Sequence, residues 1–285
     1  MAHGTARIGA IEITALCDAA TRFPRSLPEA FPEVPRETWE ELRGRYPETF
    51  TGEDGWLFHV HCYLVRAKGV VVLVDSGFGP SWTIAAQWAG VEGQLPAELD
   101  EVGVSVADVG QVVITHLHLD HIGWTVSGPD DGTPTFPNAR YLVGRSDWEG
   151  FRELGDEEDR AAFDQQVRPL AAAGVLDLVD GERELSEGLT LVPTPGHTPG
   201  HQSLLVQADG RTALLSGDLT NHPVQATEPR WRSGGDMDPS LAAWTRRRWL
   251  DRLESERAML CTAHYPEPFV SLVREGDRRF VAPAV

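Results

Sequence analysis

The stretch Thr115-His116-Leu117-His118-Leu119-Asp120-His121-Ile122-Gly123 decides how the rest of the chain is read. It continues a short β-branched run over residues 112–115, which has strand character. On extended backbone alternate side chains share one face. His116, His118 and Asp120 are therefore expected to point together, with Leu117 and Leu119 opposite. His121 breaks the alternation, so the chain is expected to turn there, and Gly123 suits a tight turn or a close backbone approach. Imidazole and carboxylate are the ligands of zinc and similar divalent ions. A single histidine here would pass for an ordinary polar residue at a strand end. Three histidines and an aspartate within six residues read as a metal-binding set.

Three further pieces stand where strand-like runs end. Thr194-Pro195-Gly196-His197-Thr198-Pro199-Gly200-His201 follows residues 189–193, and its glycines and prolines suit a rigid loop holding one ligand. Ser216-Gly217-Asp218 and Cys261-Thr262-Ala263-His264 follow two other such runs. His-x-His-x-Asp-His, then Gly-His-Thr-Pro-Gly-His, then Gly-Asp, then a late histidine resembles the metallo-β-lactamase superfamily, from about Leu57 to His264. The resemblance implies an αββα sandwich of the α/β class, two packed mixed β-sheets flanked by helices. It implies two metal ions, zinc first, with manganese, cobalt or iron as alternatives. His116, His118 and His197 would hold one ion, Asp120, His121 and His264 the other, and Asp218 would bridge them. Asp75, in Val-Asp-Ser-Gly, matches the family's early aspartate, which supports the site loop. His201 is expected to back the site without ligating.

The chemistry implied is hydrolysis by a hydroxide shared between the metals, with Asp120 orienting it and passing a proton to the leaving group. The Gly-x-Ser-x-Gly elbow of serine hydrolases is absent. Asp218 separates the chain from the true β-lactamases, and the intact histidine string separates it from the iron branches. The acyl-homoserine lactone lactonases and their organophosphate-hydrolysing relatives are the nearest branch by length and by the long segment before the first hairpin. A lactone or ester is the expected substrate. The alternatives are a phosphotriester, a glyoxalase II-like thioester, and a binding protein of the same fold without turnover. Lactonases of this branch often carry a tyrosine three residues past the bridging aspartate. Asn221 stands there, followed by His222, which is expected to donate a hydrogen bond or proton to the substrate. Leu119, Trp124, Asn221 and His222 are the expected substrate contacts.

Composition narrows the partners. The 285 residues include 43 Asp and Glu against 25 Lys and Arg, a formal charge of −18 that would repel a nucleic-acid backbone. Arg246-Arg247-Arg248 is the one local basic run and reads as a solvated helix face. No apolar run reaches the length needed to cross a bilayer, and no secretory leader is visible, so a cytoplasmic, soluble protein with a small-molecule partner is expected. Cys17, Cys62 and Cys261 are too few and too far apart for a disulfide framework or a thiolate zinc site. One domain over 1–285 is expected. Within it residues 18–55 form a proline-rich insertion whose aromatics pack on the pocket rim or on a second copy in a homodimer. The remaining runs read as strands over 7–16, 57–65, 70–74, 136–143, 202–207, 213–216 and 258–262. Helices are expected over 81–89, from Ser146 as cap, over 157–173 and over 241–256.

Overall fold

The computed structural model describes residues 4–129 and 132–284. Two β-sheets pack face to face. The first contains β1 (Thr5–Ile8), β2 (Ile11–Ser26), β3 (Phe50–Thr51), β4 (Gly55–Ala67), β5 (Val70–Val74), β6 (Gln111–Val113), β7 (Arg140–Gly144) and β8 (Leu176–Val179). Its order is β1-β2-β4-β5-β6-β7-β8, with β3 added on β4. The second contains β9 (Arg183–Ser186), β10 (Leu189–Pro193), β11 (Gln202–Ala208), β12 (Arg211–Leu215), β13 (Met259–Cys261), β14 (Phe269–Glu275) and β15 (Arg278–Pro283). They lie in strict reverse order, β15 to β9. β5 through β8 are parallel, as are β12 and β13, and the remaining pairs are antiparallel. Both sheets are therefore mixed.

Period-two alternation explains the layering. Val65, Val72, Val74, Leu204, Val206, Ala213, Leu215, Met259 and Cys261 join one apolar cluster between the sheets. Their chain neighbours Leu64, Leu73, Leu205, Leu214 and Leu260 join the other, against the flanking helices. Strands buried on both faces read as continuous apolar runs, which is why β4, β5 and β12 were visible in the sequence. The helix Pro239–Glu256 adds Leu250 and Leu253 to the outer cluster.

Several boundaries differ from expectation. β2 does not end at Leu16. It runs on to Ser26, past Pro24, which lacks an N–H, and its pairing with β4 slips between Arg22 and Ser26. A second irregularity between Cys17 and Ala19 leaves Asp18 out of the pairing. The 18–55 segment is thus a strand end, the helices Leu27–Ala30 and Arg36–Arg45, and a return strand. Its Phe31 and Trp39 are buried within their own chain. β7 starts at Arg140, after Pro137, and the helix Arg145–Leu154 is capped by Gly144, not by Ser146. The 157–173 helix is present as expected, helical from Glu157 to Ala172, with one wider π-type turn over Phe163–Val167. β6 stops at Val113, and a tight turn covers Leu119–His121. The histidine string therefore lies in a loop beyond the strand and is not aligned by strand alternation.

Candidate metal centre

The loops that leave β5, β6, β10, β12 and β13 meet at one end of the sandwich. Asp75, in left-handed backbone at φ 60°, begins the first of them. Its carboxylate accepts from Thr115 N at 2.7 Å, Thr115 Oγ1 at 2.9 Å and His121 Nδ1 at 2.9 Å. That carboxylate folds the histidine string back on β5. Gly123 is required for a related reason, since any side chain there would run into the Phe78 backbone. Asp18, freed from its strand ladder, accepts from Phe78 N, Leu95 N and Trp124 Nε1 at 2.7–2.9 Å. Burial pushes its carboxyl up to about 6.

The seven expected residues fall into two groups. His116, His118, His197 and Asp218 form one, and Asp120, His121 and His264 the other. In the first, His118 Nδ1 lies 3.0 Å from His116 Nε2 and 2.8 Å from His197 Nε2. In the second, Asp120 Oδ2 lies 3.5 Å from both His121 Nε2 and His264 Nε2. Asp218 faces both. Its Oδ2 is 3.2 Å from His197 Nε2, and its Oδ1 is 2.8 Å from His264 Nε2 and 3.3 Å from His121 Nε2.

For four of the five rings the far side fixes the tautomer. His121 Nδ1 donates to Asp75, His197 Nδ1 to Asp236 Oδ1 at 2.9 Å, His264 Nδ1 to the His59 carbonyl at 2.8 Å, and His116 Nδ1 to Thr115 Oγ1 at 3.1 Å. With the proton on Nδ1, each Nε2 presents a bare lone pair to the centre. His121 Nε2, His264 Nε2 and Asp218 Oδ1 are buried there without a hydrogen bond. Lone pairs crowded against a carboxylate, out of water, need a cation between them. The donor set, five imidazoles and two carboxylates, fits two divalent ions of the zinc kind.

The outer supports were less visible in the sequence. Asp147, fully buried, accepts from Thr198 Oγ1 at 2.7 Å and Gly200 N at 2.5 Å, and so sets the loop that carries His197. Burial pushes its carboxyl up to about 6. His201 Nε2 accepts from Asp218 N at 3.0 Å, and burial drives the ring down to about 3, so it stays neutral and holds the Asp218 turn. Asp236 and Arg246 form an ion pair at 3.1 Å with both side chains almost wholly buried. The solvated reading of the Arg246 run is corrected here: Arg247 and Arg248 are exposed, and Arg246 points into the molecule. No spacing rule marks this pair, because a loop and a helix bring it together.

A cleft of about 330 Å³ opens over the centre. His118, Asp120, His197 and Asp218 form its floor, and Phe23, Trp56, Phe58 and Trp88 an aromatic wall. Leu119 and Asn221 line it, as expected. Asn221 Nδ2 donates to Asp218 Oδ2 at 2.5 Å. Trp124 and His222 are not among the cleft-lining residues. Trp124 is turned to Asp18. His222 is fully buried, and its ring centroid lies 5.4–6.1 Å from those of Phe31, Trp39, Phe50 and Trp56. Burial there pushes it down to about 3. An aromatic enclosure keeps it neutral and sets it apart from the residues that line the cleft.

The family model of the metallo-beta-lactamase superfamily matches residues 55–264, and the chain belongs to that superfamily. The N-acyl homoserine lactonase AiiA of Bacillus thuringiensis subsp. kurstaki is 27% identical over 221 residues, covering 72% of this chain and 80% of that protein. The uncharacterized protein YobT of Bacillus subtilis (strain 168) is 27% identical over 236 residues, covering 80% and 91%. Among solved structures, AidC, a dizinc quorum-quenching lactonase in complex with a product, superposes with a TM-score of 0.83 at 21% identity over 99% of this chain and 97% of that one. The hydrolase AbOPH of the beta lactamase superfamily gives 0.83 at 22% identity over the same shares. These likenesses establish the αββα fold. Among the described residues, no helix is long and apolar enough to cross a membrane.

Proposed function

We propose that this chain is a dinuclear metal-dependent hydrolase that opens a lactone or cleaves a related ester. The reading is carried by Asp218, whose two carboxylate oxygens face two separate histidine groups. His116, His118 and His197 would hold one ion and Asp120, His121 and His264 the other, with Asp218 available to both. Two divalent ions bound there supply Lewis acidity and water that ionises near neutral pH.

The chain's own groups do the rest. Asp120 both lines the cleft and touches the second group through Oδ2, so its carboxylate is placed to hold a proton on the other oxygen and release it to the leaving oxygen. Burial alone would raise this carboxyl; His121 and His264 outweigh burial and keep it below its usual range, ready to accept. Asn221 Nδ2 steadies the Asp218 oxygen that faces the first group. Phe23, Trp56, Phe58 and Trp88 exclude water from one side and seat an apolar acyl chain. The relatives named as N-acyl homoserine lactonases, and the lactonase structure with a bound product, support a lactone bearing such a chain. Pairing of Arg45 with Glu275 and of Arg278 with Glu41 ties the N-terminal segment to the last hairpin, in keeping with one domain.

The test is a panel. Zinc-loaded protein is assayed on N-acyl homoserine lactones, simple lactones, an aryl ester, a phosphotriester and an acyl thioester. Lactone opening is expected to lead, to vanish on chelation and to return with zinc. Chelation is also expected to lower the melting temperature, because the ions bind only the folded site. Turnover of the phosphotriester or thioester alone would overturn the lactone reading. Uptake of less than one equivalent of metal would overturn the metal centre itself.

A further inference from the structure

The ligand residues of the first half of the chain sit within one loop, from His116 to His121. Those of the second half come from three loops that must be held together by something else. Arg246 is placed to do this for two of them. Its Nε donates to the Leu219 carbonyl at 2.7 Å, in the turn that carries Asp218. Its Nη1 donates to the carbonyls of Pro229 at 3.0 Å and Trp231 at 3.1 Å. Its Nη2 donates to Asp236 Oδ2 at 3.1 Å and Oδ1 at 3.4 Å. Every nitrogen of the guanidinium is thus engaged. Asp236 Oδ1 in turn accepts from His197 Nδ1, and Oδ2 from Ser233 N.

The surrounding backbone repeats the connection. Met237 N donates to the His197 carbonyl and Asp238 N to the Gly196 carbonyl, each at 2.9 Å. Thr245, one residue before Arg246, donates to the Pro195 carbonyl at 2.7 Å. Gly196, at φ 129°, has no room for a side chain against Ala242 of the same helix. One face of the helix Pro239–Glu256 thus carries the His197 loop directly and the Asp218 turn through Arg246.

We infer that Asp236, held by Arg246, is a positioning residue that sets the affinity of the first metal position through His197, which belongs to that position alone, and leaves the second position largely to its own ligands. The inference rests on the two-metal reading. His264, the third second-half residue, is held by the His59 carbonyl and does not share this support. A carboxylate behind a ligating histidine orients the ring and raises its basicity, and losing one costs roughly 10–100-fold in metal affinity. The buried guanidinium pairs with that carboxylate and holds it in place.

The experiment is a Co2+ titration of the metal-stripped full chain, read by visible absorption, with Zn2+ competition for affinities. Wild type is expected to take two equivalents. D236N is expected to keep two, with one weakened about 10–100-fold and the other changed less than about threefold. R247M, at an exposed position on the same helix, is the control. Apo melting curves check the fold. If apo D236N does not hold its circular dichroism, D236E carries the test: it keeps the charge, moves the carboxylate relative to His197 Nδ1, and is expected to weaken the same equivalent. Both equivalents unchanged, or both weakened alike, would overturn the inference while leaving the metal centre standing. A wild-type chain that takes no metal would remove the centre and the inference together.

Discussion

Asp120 shares Oδ2 contacts of 3.5 Å with two proposed ligand histidines and also faces the cleft, so it joins metal holding to proton movement. Replacing it by asparagine keeps the shape and removes the proton acceptor. D120N is expected to lower kcat about 10²–10⁴-fold at saturating metal, with the fold intact. Steady-state rates taken beside a metal count and a melting curve check this; an unchanged kcat would refute the role. Residues of this kind were legible because contiguous chain confines them. His116, His118, Asp120 and His121 occupy six positions, and no fold can scatter them far. His197, Asp218 and His264 were legible through order and flanking glycines. His222 was not, although it lies four residues past Asp218: proximity along the chain does not say which way a ring turns, and this one turns into an aromatic box. Asp236 and Arg246 had no signal at all, because their pairing is tertiary and the neighbouring arginines are exposed.

At the scale of elements, alternation revealed the central strands and missed the edges. β14 and β15 went unread because their charges resemble a solvated tail: Arg274, Arg278 and Arg279 interrupt the apolar positions. The structure shows where those charges go. Glu254, on the helix Pro239–Glu256, accepts from Arg274 Nε at 2.7 Å and from Arg279 Nη2 at 2.7 Å, and Arg279 also reaches Asp251 at 2.5 Å. The hairpin is thereby fastened to the same helix that carries Arg246. Hydrogen bonds from Arg274, with Arg279 beside it, pull the Glu254 carboxyl down to about 2 from an ordinary 4.5. A carboxyl lowered on folding adds stability that is fully present above its unfolded pKa and fades as pH falls toward the folded one. The network is partly solvated, so screening holds its worth to about 0.5–1 kcal/mol. E254Q is expected to cost that much in urea melts at pH 7, and the difference from wild type should narrow steadily between pH 4.5 and pH 3. A gap that stayed flat on acidification would show that Glu254 acts by packing, not by charge.

For the whole molecule, the formal charge of −18 and the cleft act together. Asp156 and Glu158 line the cleft, with Asp159 beside them, its carboxyl pushed up to about 7 by burial, and Arg25 is the one arginine lining it among the described residues. A narrow opening between low-dielectric walls concentrates this field. Neutral lactones or esters enter without an electrostatic penalty, whereas a substrate with a carboxylate at the end of its chain meets repulsion on approach. In the proposed reaction ring opening creates a carboxylate, which the acidic rim repels once it has left the metal ions. A matched pair isolates the effect: a lactone with a terminal carboxylate on its acyl chain, and its methyl ester. At about 20 mM salt kcat/KM is expected to favour the neutral partner about tenfold. At about 500 mM, where screening acts over a few ångströms, the ratio should fall to two- or threefold. The change should come from the anionic substrate, with the neutral one nearly flat. A ratio independent of salt would mean that shape alone sets the preference, and that the acidic rim has no part in choosing what reaches the metals.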